Sequence, residues 1–129
     1  MSRKIEMQID HRVEILVAAA KEEALKSDLR SAKMSAMIVD KKLKTIFAKT
    51  HNRRIMGENG KFSIHAEENM LAKYFKSVKD RYIFIFRTMA DGSIGVSRPC
   101  RKCYKLIEES GIFGAMYFNK DGQFVVEEF

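Results

Sequence analysis

The sequence has little cysteine and no long apolar segment, and each shortage excludes a class of protein. Its two cysteines, Cys100 and Cys103, stand three positions apart. That count and spacing do not suit the disulfide framework of a small secreted domain, so a metal site or a redox pair is the better interpretation. No apolar run approaches the roughly 18 residues of a membrane span. The first ten residues lack the apolar core of a signal peptide, so we expect a cytoplasmic protein with no membrane partner.

Internal repeats, low-complexity tracts and breaks in composition are also absent, which predicts a single domain over residues 1–129. Hydrophobic residues make up 46% of the chain, enough to fill one core. The formal net charge of +7 favours anionic partners such as nucleotides, nucleic acid or acidic surfaces. A charge that merely keeps a small domain in solution is the alternative interpretation.

Hydrophobic periodicity predicts three helices. The first is amphipathic, because its apolar residues recur at three- and four-residue steps with charges between them. Ser63 and Ser97 are candidate N-caps of the second and third helices, and Pro99 falls in the first turn of the third. The predicted helices cover residues 9–27, 64–78 and 99–111.

Five strands are predicted between and after these helices. Residues 81–89 form a continuous apolar run, which is typical of a strand buried on both faces. The other strands are expected at 34–39, 44–50, 112–119 and 124–129, with a polar loop at 51–63. Helices that alternate with strands in this order predict an α/β sandwich, in which helices cover the faces of a sheet.

Two helix starts carry the side chains best suited to bind a metal. Zinc takes nitrogen and sulfur ligands, and catalytic zinc sites use three protein ligands and leave one position open. Cys100 and Cys103 lie one helical turn apart, and His65 begins another helix, so the three supply that number if the helices lie side by side. Helix N-termini also favour a thiolate over a thiol, because their dipoles stabilise negative charge.

Glu67 stands two positions after His65, so its side chain leaves the helix in a different direction. It can therefore approach the fourth coordination position without binding the metal. A zinc-bound water has its pKa lowered toward about 7, and a nearby carboxylate can take its proton and return it to a leaving group. This equipment suits hydrolysis by a metal-activated hydroxide.

Each of these features has a simpler alternative. The Cys-x-x-Cys pair could be a thioredoxin-like redox motif, although the Gly-Pro and aromatic surroundings of that motif are missing. A structural zinc site would need a fourth ligand, for which His51 is the candidate. Glu67 could be an ordinary first-turn glutamate that complements the helix dipole.

The two motifs together, HAE at 65–67 and PCRKC at 99–103, resemble the signature of the zinc-dependent cytidine and deoxycytidylate deaminase superfamily. The resemblance covers most of the chain. It implies a three-layer α/β fold with a five-stranded mixed sheet and helices on both faces. It also implies one zinc ion per chain, bound by His65, Cys100 and Cys103, with Glu67 as the proton shuttle. The implied reaction is hydrolytic deamination of a cytosine base to uracil.

The C-terminal segment places the chain in one branch of that superfamily. In the branch of tRNA adenosine deaminases a helix joins the last two strands, which run parallel. Here NKDGQ at 119–123 separates them, and a parallel crossover needs at least about ten residues. We therefore expect a hairpin and an antiparallel last strand. His65 departs from this branch, whose free-cytidine deaminases usually have a cysteine there, so the resemblance leaves the substrate open.

The resemblance also extends to the binding of substrate. It implies that Asn52 and the backbone of Ala66 contact the base or sugar, and that Pro99 fixes the turn into the cysteine helix. Phe62 and Tyr104 are candidates for stacking on a base, although a packing role is at least as compatible with both. Relatives often form dimers or tetramers, so a homo-oligomer is expected.

Arginines near the motifs suggest a phosphate on the substrate. Arg98 and Arg101 flank the cysteines together with Lys102, and Arg53 follows Asn52 with Arg54 after it. Arginine binds phosphate strongly and often through two hydrogen bonds. The hypothesis is a cytosine nucleotide or single-stranded nucleic acid as partner, against solvated surface charge. Adenine deamination on RNA or DNA, and a catalytically silent nucleic-acid-binding relative, are the alternative functions.

Overall fold

The computed structural model describes residues 3–29, 32–57, 60–74 and 78–129, with the backbone alone described at 32, 55–57 and 60–64. Its elements are β1 (Arg3–Met7), α1 (His11–Ala24), β2 (Ala32–Val39), β3 (Ile46–His51), β4 (Arg53–Gly57), β5 (Gly60–Ile64), α2 (Ala66–Tyr74), β6 (Tyr82–Met89), α3 (Arg101–Glu109), β7 (Gly114–Phe118) and β8 (Phe124–Glu128). None of the helices in these ranges has the length and apolarity needed to cross a membrane.

The main sheet has six strands in the order β1-β8-β7-β6-β2-β3, one more than expected. The additional strand is β1, which pairs antiparallel with β8 from Arg3–Glu128 to Met7–Phe124. The sequence RKIEM is short and mostly polar, and three of its five residues are exposed. An edge strand of this kind has no local signal, because its partner lies at the other end of the chain.

The prediction of a polar loop over residues 51–63 was wrong for the middle part of that segment. Residues of this segment form β4 and β5, an antiparallel pair that makes a separate two-stranded sheet. Its register runs from Arg53–Ile64 to Gly57–Gly60. The charged and glycine-containing sequence resembles a loop because a hairpin outside the main core needs no apolar alternation.

Helices cover both faces of the main sheet, which confirms the three-layer architecture. Side chains alternate across β6, with Phe84 and Phe86 on the face covered by α1 and Ile83 and Ile85 on the opposite face. The α1 residues in the first core are Val13, Leu16, Ala20 and Ala24. On the other face the helical core residues are Ala66 and Met70 of α2 and Ile107 of α3. The prediction that β6 is buried on both faces is confirmed.

The order and direction of the central strands place α2 and α3 on one face. β6 and β7 pair in parallel from Tyr82–Gly114 to Phe84–Met116, so the connection between them must cross the sheet, and it carries α3. β7 and β8 pair antiparallel and are joined by residues 119–123. The predicted hairpin and antiparallel last strand are thus confirmed.

The helix boundaries differ in detail from the predicted ones. α2 starts at Ala66, while residues 75–77 of the predicted helix and the Ser63 side chain lie outside the described part of the chain. α3 starts at Arg101 with Cys100 as N-cap, so Pro99 precedes the helix and is not in its first turn. Ser97 does not cap it either. Its hydroxyl accepts a hydrogen bond from the backbone N–H of Phe118 instead.

A buried carboxylate joins α1 to the end of β3. Glu23 is 6% exposed, and its oxygens lie 2.7 Å from His51 Nδ1 and 3.1 Å from Lys26 Nζ. Burial alone would raise the pKa of Glu23, but the hydrogen bonds from His51 and Lys26 outweigh it and lower that pKa. The contact fixes the strand end from which Asn52 follows.

We expect Glu23→Gln to reduce the free energy of unfolding by about 1–2 kcal/mol near pH 7, because it removes a charged acceptor. Since the pKa of Glu23 is lower in the folded chain than the unfolded value of about 4.3, its contribution is present above that value and is lost as the pH falls through the folded pKa. Urea unfolding between pH 7 and pH 3 measures this. The difference between wild type and variant should shrink on acidification, and a difference that stays constant over this range would contradict the assignment.

Candidate metal centre

His65, Cys100 and Cys103 converge on one point, as their spacing predicted. Their ligand atoms all lie within 4.8 Å of one another. The Nδ1 atom of His65 lies 3.4 Å from the Sγ of Cys103 and 3.9 Å from the Sγ of Cys100. Among the side chains that the structure describes, no other group of three histidine, cysteine, aspartate or glutamate ligands converges in this way.

The convergence follows from where the two helices begin. His65 immediately precedes α2, Cys100 is the N-cap of α3, and Cys103 is the third residue of α3. Both helices pack on the same face of the sheet through a shared core. An ion pair joins their first turns, with Lys102 Nζ 3.0 Å from a carboxylate oxygen of Glu68.

The donor set fits zinc. Two sulfurs and one imidazole nitrogen match the soft and borderline ligands that zinc prefers, and three protein ligands leave a fourth position for water or substrate. His51 is not the fourth ligand of a closed structural site, because its ring lies against Glu23 of α1, which packs on the opposite face of the sheet. Both cysteines are free thiols.

The surroundings of Cys103 oppose the thiolate that the helix N-terminus was expected to favour. Cys103 is buried, and burial, together with the nearby carboxylate of Glu67, raises the pKa of its thiol well above the usual value. The helix dipole therefore does not dominate at this position. A bound cation would offset both effects, because metal binding displaces the thiol proton.

Glu67 lies beside the ligand cluster, in the first turn of α2. It is the second residue of α2, only 2% exposed, and lies next to Cys103 without belonging to the ligand group. Its Oε1 atom is buried and makes no hydrogen bond to the described residues. Burial raises the pKa of Glu67 above its ordinary value. An unpartnered buried carboxylate oxygen is costly, which favours a partner such as a water or substrate in the open position of the site.

Asn52 and Ala66 are both buried, and each has a partner within the fold. The Oδ1 atom of Asn52 accepts a hydrogen bond from the backbone N–H of Met34 at 2.9 Å, which ties it to β2. The carbonyl of Ala66 accepts from the Thr50 hydroxyl at 3.0 Å. The N–H of Ala66, at the start of α2, has no acceptor within its own helix. Contacts of these two residues with a substrate remain predictions.

The basic residues that follow Asn52 or flank the cysteines in the sequence have unequal surroundings. Arg53 and Arg101 are exposed, whereas Lys102 is paired with Glu68. Arg98 lies 5.7 Å from the ring centre of Tyr104 and borders a surface cavity of about 420 Å³, which Lys4 also lines. None of the three ligands lines that cavity. Pro99 is buried between Arg98 and Cys100.

Tyr104 packs within the fold. Its ring meets Phe129 edge-on with centroids 5.7 Å apart, and its hydroxyl donates to Glu127 at 2.6 Å. The side chain of Phe62, the other stacking candidate, lies outside the described part of the chain.

Glu127 was not identified by sequence reasoning. Its carboxylate is 1% exposed and accepts hydrogen bonds from the hydroxyls of Tyr104 and Tyr117, at 2.6 and 2.9 Å. The segment FVVEEF predicts a strand, but a buried glutamate in it has the same sequence signature as an exposed one.

Comparison with known proteins assigns the chain to a family. The family model described as "Cytidine and deoxycytidylate deaminase zinc-binding region" matches residues 10–119, a region that ends before β8. No curated protein matches the chain at a significant level.

Solved structures with a similar fold include two deaminases. The dCMP deaminase of cyanophage S-TIM5 is 25% identical, with a TM-score of 0.63, covering 90% of this chain and 89% of that one. A cytidine deaminase from Burkholderia pseudomallei is 18% identical, with a TM-score of 0.62, covering 91% of each chain. At 18% identity the second likeness concerns the fold alone.

We expect the purified protein to contain one zinc ion per chain and Cys103→Ala to contain none, because two protein ligands with a cavity in place of the thiolate bind weakly. Elemental analysis by mass spectrometry after dialysis measures the content. The thermal midpoint of wild type should also fall when zinc is removed, since the ion joins α2 to α3.

His11→Ala is the matched control, because His11 is an exposed histidine outside the cluster. It should retain the full zinc content. Full zinc in Cys103→Ala, or its loss in His11→Ala, would contradict the assigned ligand set.

Proposed function

The chain belongs to the family of cytidine and deoxycytidylate deaminases, and we propose that it is a zinc-dependent hydrolytic deaminase that converts a cytosine base to uracil. The observation that carries the proposal is Glu67, whose buried Oε1 atom has no hydrogen-bond partner among the described residues and lies beside the His65, Cys100 and Cys103 cluster. A structural zinc site needs no such group, whereas hydrolysis needs a proton carrier next to the reacting water.

The three ligands would hold the metal, and Cys100 is the exposed member at the open side of the cluster. When bound, zinc supplies Lewis acidity, which activates water as a nucleophile near neutral pH. His65 and the cysteines would hold the metal through their donor atoms, so the proton transfers are left to Glu67.

Glu67 moves the protons. Its Oε1 atom accepts a proton from the attacking water and donates it to the ring nitrogen next to the amino-bearing carbon of cytosine. The water oxygen becomes the carbonyl oxygen of uracil, and the amino group leaves as ammonia after receiving the second proton of the water. Burial raises the pKa of Glu67, which makes its carboxylate a stronger base toward the attacking water.

We propose that the substrate is a cytosine nucleotide, with deoxycytidylate the first candidate. The relative that is 25% identical over 90% of this chain is a dCMP deaminase. Arg53 and Arg101 are exposed arginines next to Asn52 and Cys100, where a phosphate attached to a bound nucleoside would meet them. Lys102 contributes less, because Glu68 neutralises it.

The remaining residues would hold the base. Asn52 and the N–H of Ala66 are proposed to contact it, and the buried Pro99 fixes the entry into α3. Arg98 is proposed to influence the substrate indirectly, through Pro99 and Tyr104, which it adjoins in the chain or contacts in the fold. Single-stranded nucleic acid as a substrate, a homo-oligomeric state and a cytoplasmic location stay predictions.

Glu67→Gln should keep zinc and the fold while lowering turnover by about 10²–10⁴-fold, because the amide cannot carry the proton. Ammonia release and zinc content, measured on the same preparations, check this. Glu22→Gln is the control, because Glu22 is an exposed glutamate of α1 on the other face of the sheet, and it should retain the full activity. Turnover that survives Glu67→Gln undiminished would remove the assigned role.

The nucleotide preference predicts that deoxycytidylate is deaminated with a kcat/KM at least tenfold above that of deoxycytidine. Arg53→Ala and Arg101→Ala should each raise the KM for deoxycytidylate about 3- to 30-fold, because a charge-assisted hydrogen bond contributes roughly 1–2 kcal/mol. The KM for deoxycytidine should change little.

Lys79→Ala serves as the control for net charge. Lys79 is exposed and precedes β6, whereas the connection to the cysteines leaves from the far end of that strand. The substitution should therefore leave both KM values unchanged. Equal activity on nucleoside and nucleotide, or equal effects of all three substitutions, would contradict the phosphate contact. Oligonucleotides tested in the same assay show whether a polynucleotide is the better substrate.

A further inference from the structure

Glu127 in β8 is the most deeply buried acidic side chain among the residues that the structure describes. It is 1% exposed and accepts the Tyr104 hydroxyl at 2.6 Å on one oxygen and the Tyr117 hydroxyl at 2.9 Å on the other. Such bonds to a charged acceptor are short and strong. Burial, together with Glu127, raises the pKa of Tyr117 to about 12, so this hydroxyl stays a donor over the whole physiological range.

The tyrosines connect this carboxylate to the cysteine segment. Tyr104 directly follows Cys103, and its backbone N–H donates to the carbonyl of Cys100 at 2.8 Å. One residue thus touches Glu127 with its side chain and closes the first turn of α3 with its backbone. Any shift of Tyr104 moves both ends of that turn, where the two thiols are attached.

The other end of the segment is attached to the same part of the sheet. Ser97 donates its backbone N–H to the carbonyl of Phe118 and accepts the N–H of Phe118 on its hydroxyl, both at 2.9 Å. Phe118 is the neighbour of Tyr117 in β7. Arg98, next to Ser97, has its guanidinium 5.7 Å from the centre of the Tyr104 ring, and it lines the same surface cavity as Tyr117. Residues 97–104 are therefore held at both ends by β7 and β8.

The cysteine turn depends on this support, because apart from the Lys102–Glu68 ion pair its other anchors are a few core contacts of α3. Cys100 is exposed and uses no side-chain hydrogen bond to cap α3. α3 has nine residues, and its buried side chains are Cys103 and Ile107. A short helix with so few core contacts depends on hydrogen bonds and ion pairs to fix its orientation. Metal ligands tolerate displacements of only a few tenths of an ångström.

We propose that Glu127 is a positioning residue of the metal centre, which holds the cysteine turn in its metal-binding geometry through Tyr104 and Tyr117. The inference rests on the proposed zinc-dependent function. Groups that orient metal ligands from outside the coordination sphere typically change metal affinity by 10- to 100-fold when they are removed.

The structure offers a matched control one residue further along β8. Glu128 also accepts a tyrosine hydroxyl, from Tyr82 at 2.7 Å, and pairs with Arg3 at 2.9 Å, but neither partner lies in the cysteine segment. Glu127→Gln and Glu128→Gln therefore remove the same kind of interaction from the same strand. Only the first should affect the metal.

Titration of the metal-free protein with Co²⁺ alone measures this, because the absorption of cobalt–thiolate bonds reports both affinity and ligand geometry. Glu127→Gln should weaken Co²⁺ binding at least tenfold and alter the visible spectrum. Glu128→Gln should leave both unchanged, even where its thermal midpoint falls. Tyr104→Phe keeps the ring and deletes one hydrogen bond, so it should weaken binding in the same direction and serves if Glu127→Gln does not fold.

Unchanged Co²⁺ affinity and spectrum in Glu127→Gln and Tyr104→Phe would overturn the proposal. An equal loss in Glu128→Gln would also overturn it, because the effect would then follow general stability. Failure of the proposed function looks different, since wild type itself would bind no Co²⁺ with thiolate absorption or, when loaded with zinc, would release no ammonia from any cytosine substrate.

Discussion

The site depends on the parallel pairing of β6 with β7. Two adjacent parallel strands cannot be joined by a tight turn. The chain must return along one face of the sheet in a crossover connection, and this connection contains α3. α3 thereby starts at the edge where β6 ends, on the face that α2 also covers. Because the chemistry is concentrated in the first turn of each helix, this constraint brings His65 to within 3.9 Å of both sulfurs.

A group of buried acidic side chains is the second consequence of that arrangement. Glu67 and Cys103 lie side by side in the interior, Glu68 follows at the edge, and Glu127 lies behind Tyr104. Removing charges from water is expensive unless they are paired. Lys102 neutralises Glu68, whereas Glu67 and Cys103 are unfavourably placed until a cation is bound. The proposed reaction requires the same cation. The buried acidic groups that favour metal binding are therefore also the groups that the proposed reaction uses.

Much of this could be predicted from the sequence, because helix and strand periodicity and the spacing of His65, Glu67, Cys100 and Cys103 are local patterns. The predictions failed where structure is set by distant partners. β1 becomes a strand only because β8 lies beside it, and Ser97 bonds β7 although it resembles a helix cap. The role of Arg98 beside Tyr117, and that of Glu127, likewise depend on side chains that meet across the fold and leave no trace in spacing or composition.

The central claim is that an open zinc centre with two sulfur ligands and one imidazole ligand lies next to Glu67. X-ray absorption at the zinc edge of the purified protein tests it most directly. We expect two sulfur neighbours at about 2.3 Å and two nitrogen or oxygen neighbours at about 2.0–2.1 Å, one of which changes when a substrate analogue is added. A centre with three or four sulfurs, with two imidazoles, or with a coordination sphere that substrate analogues never alter would contradict it.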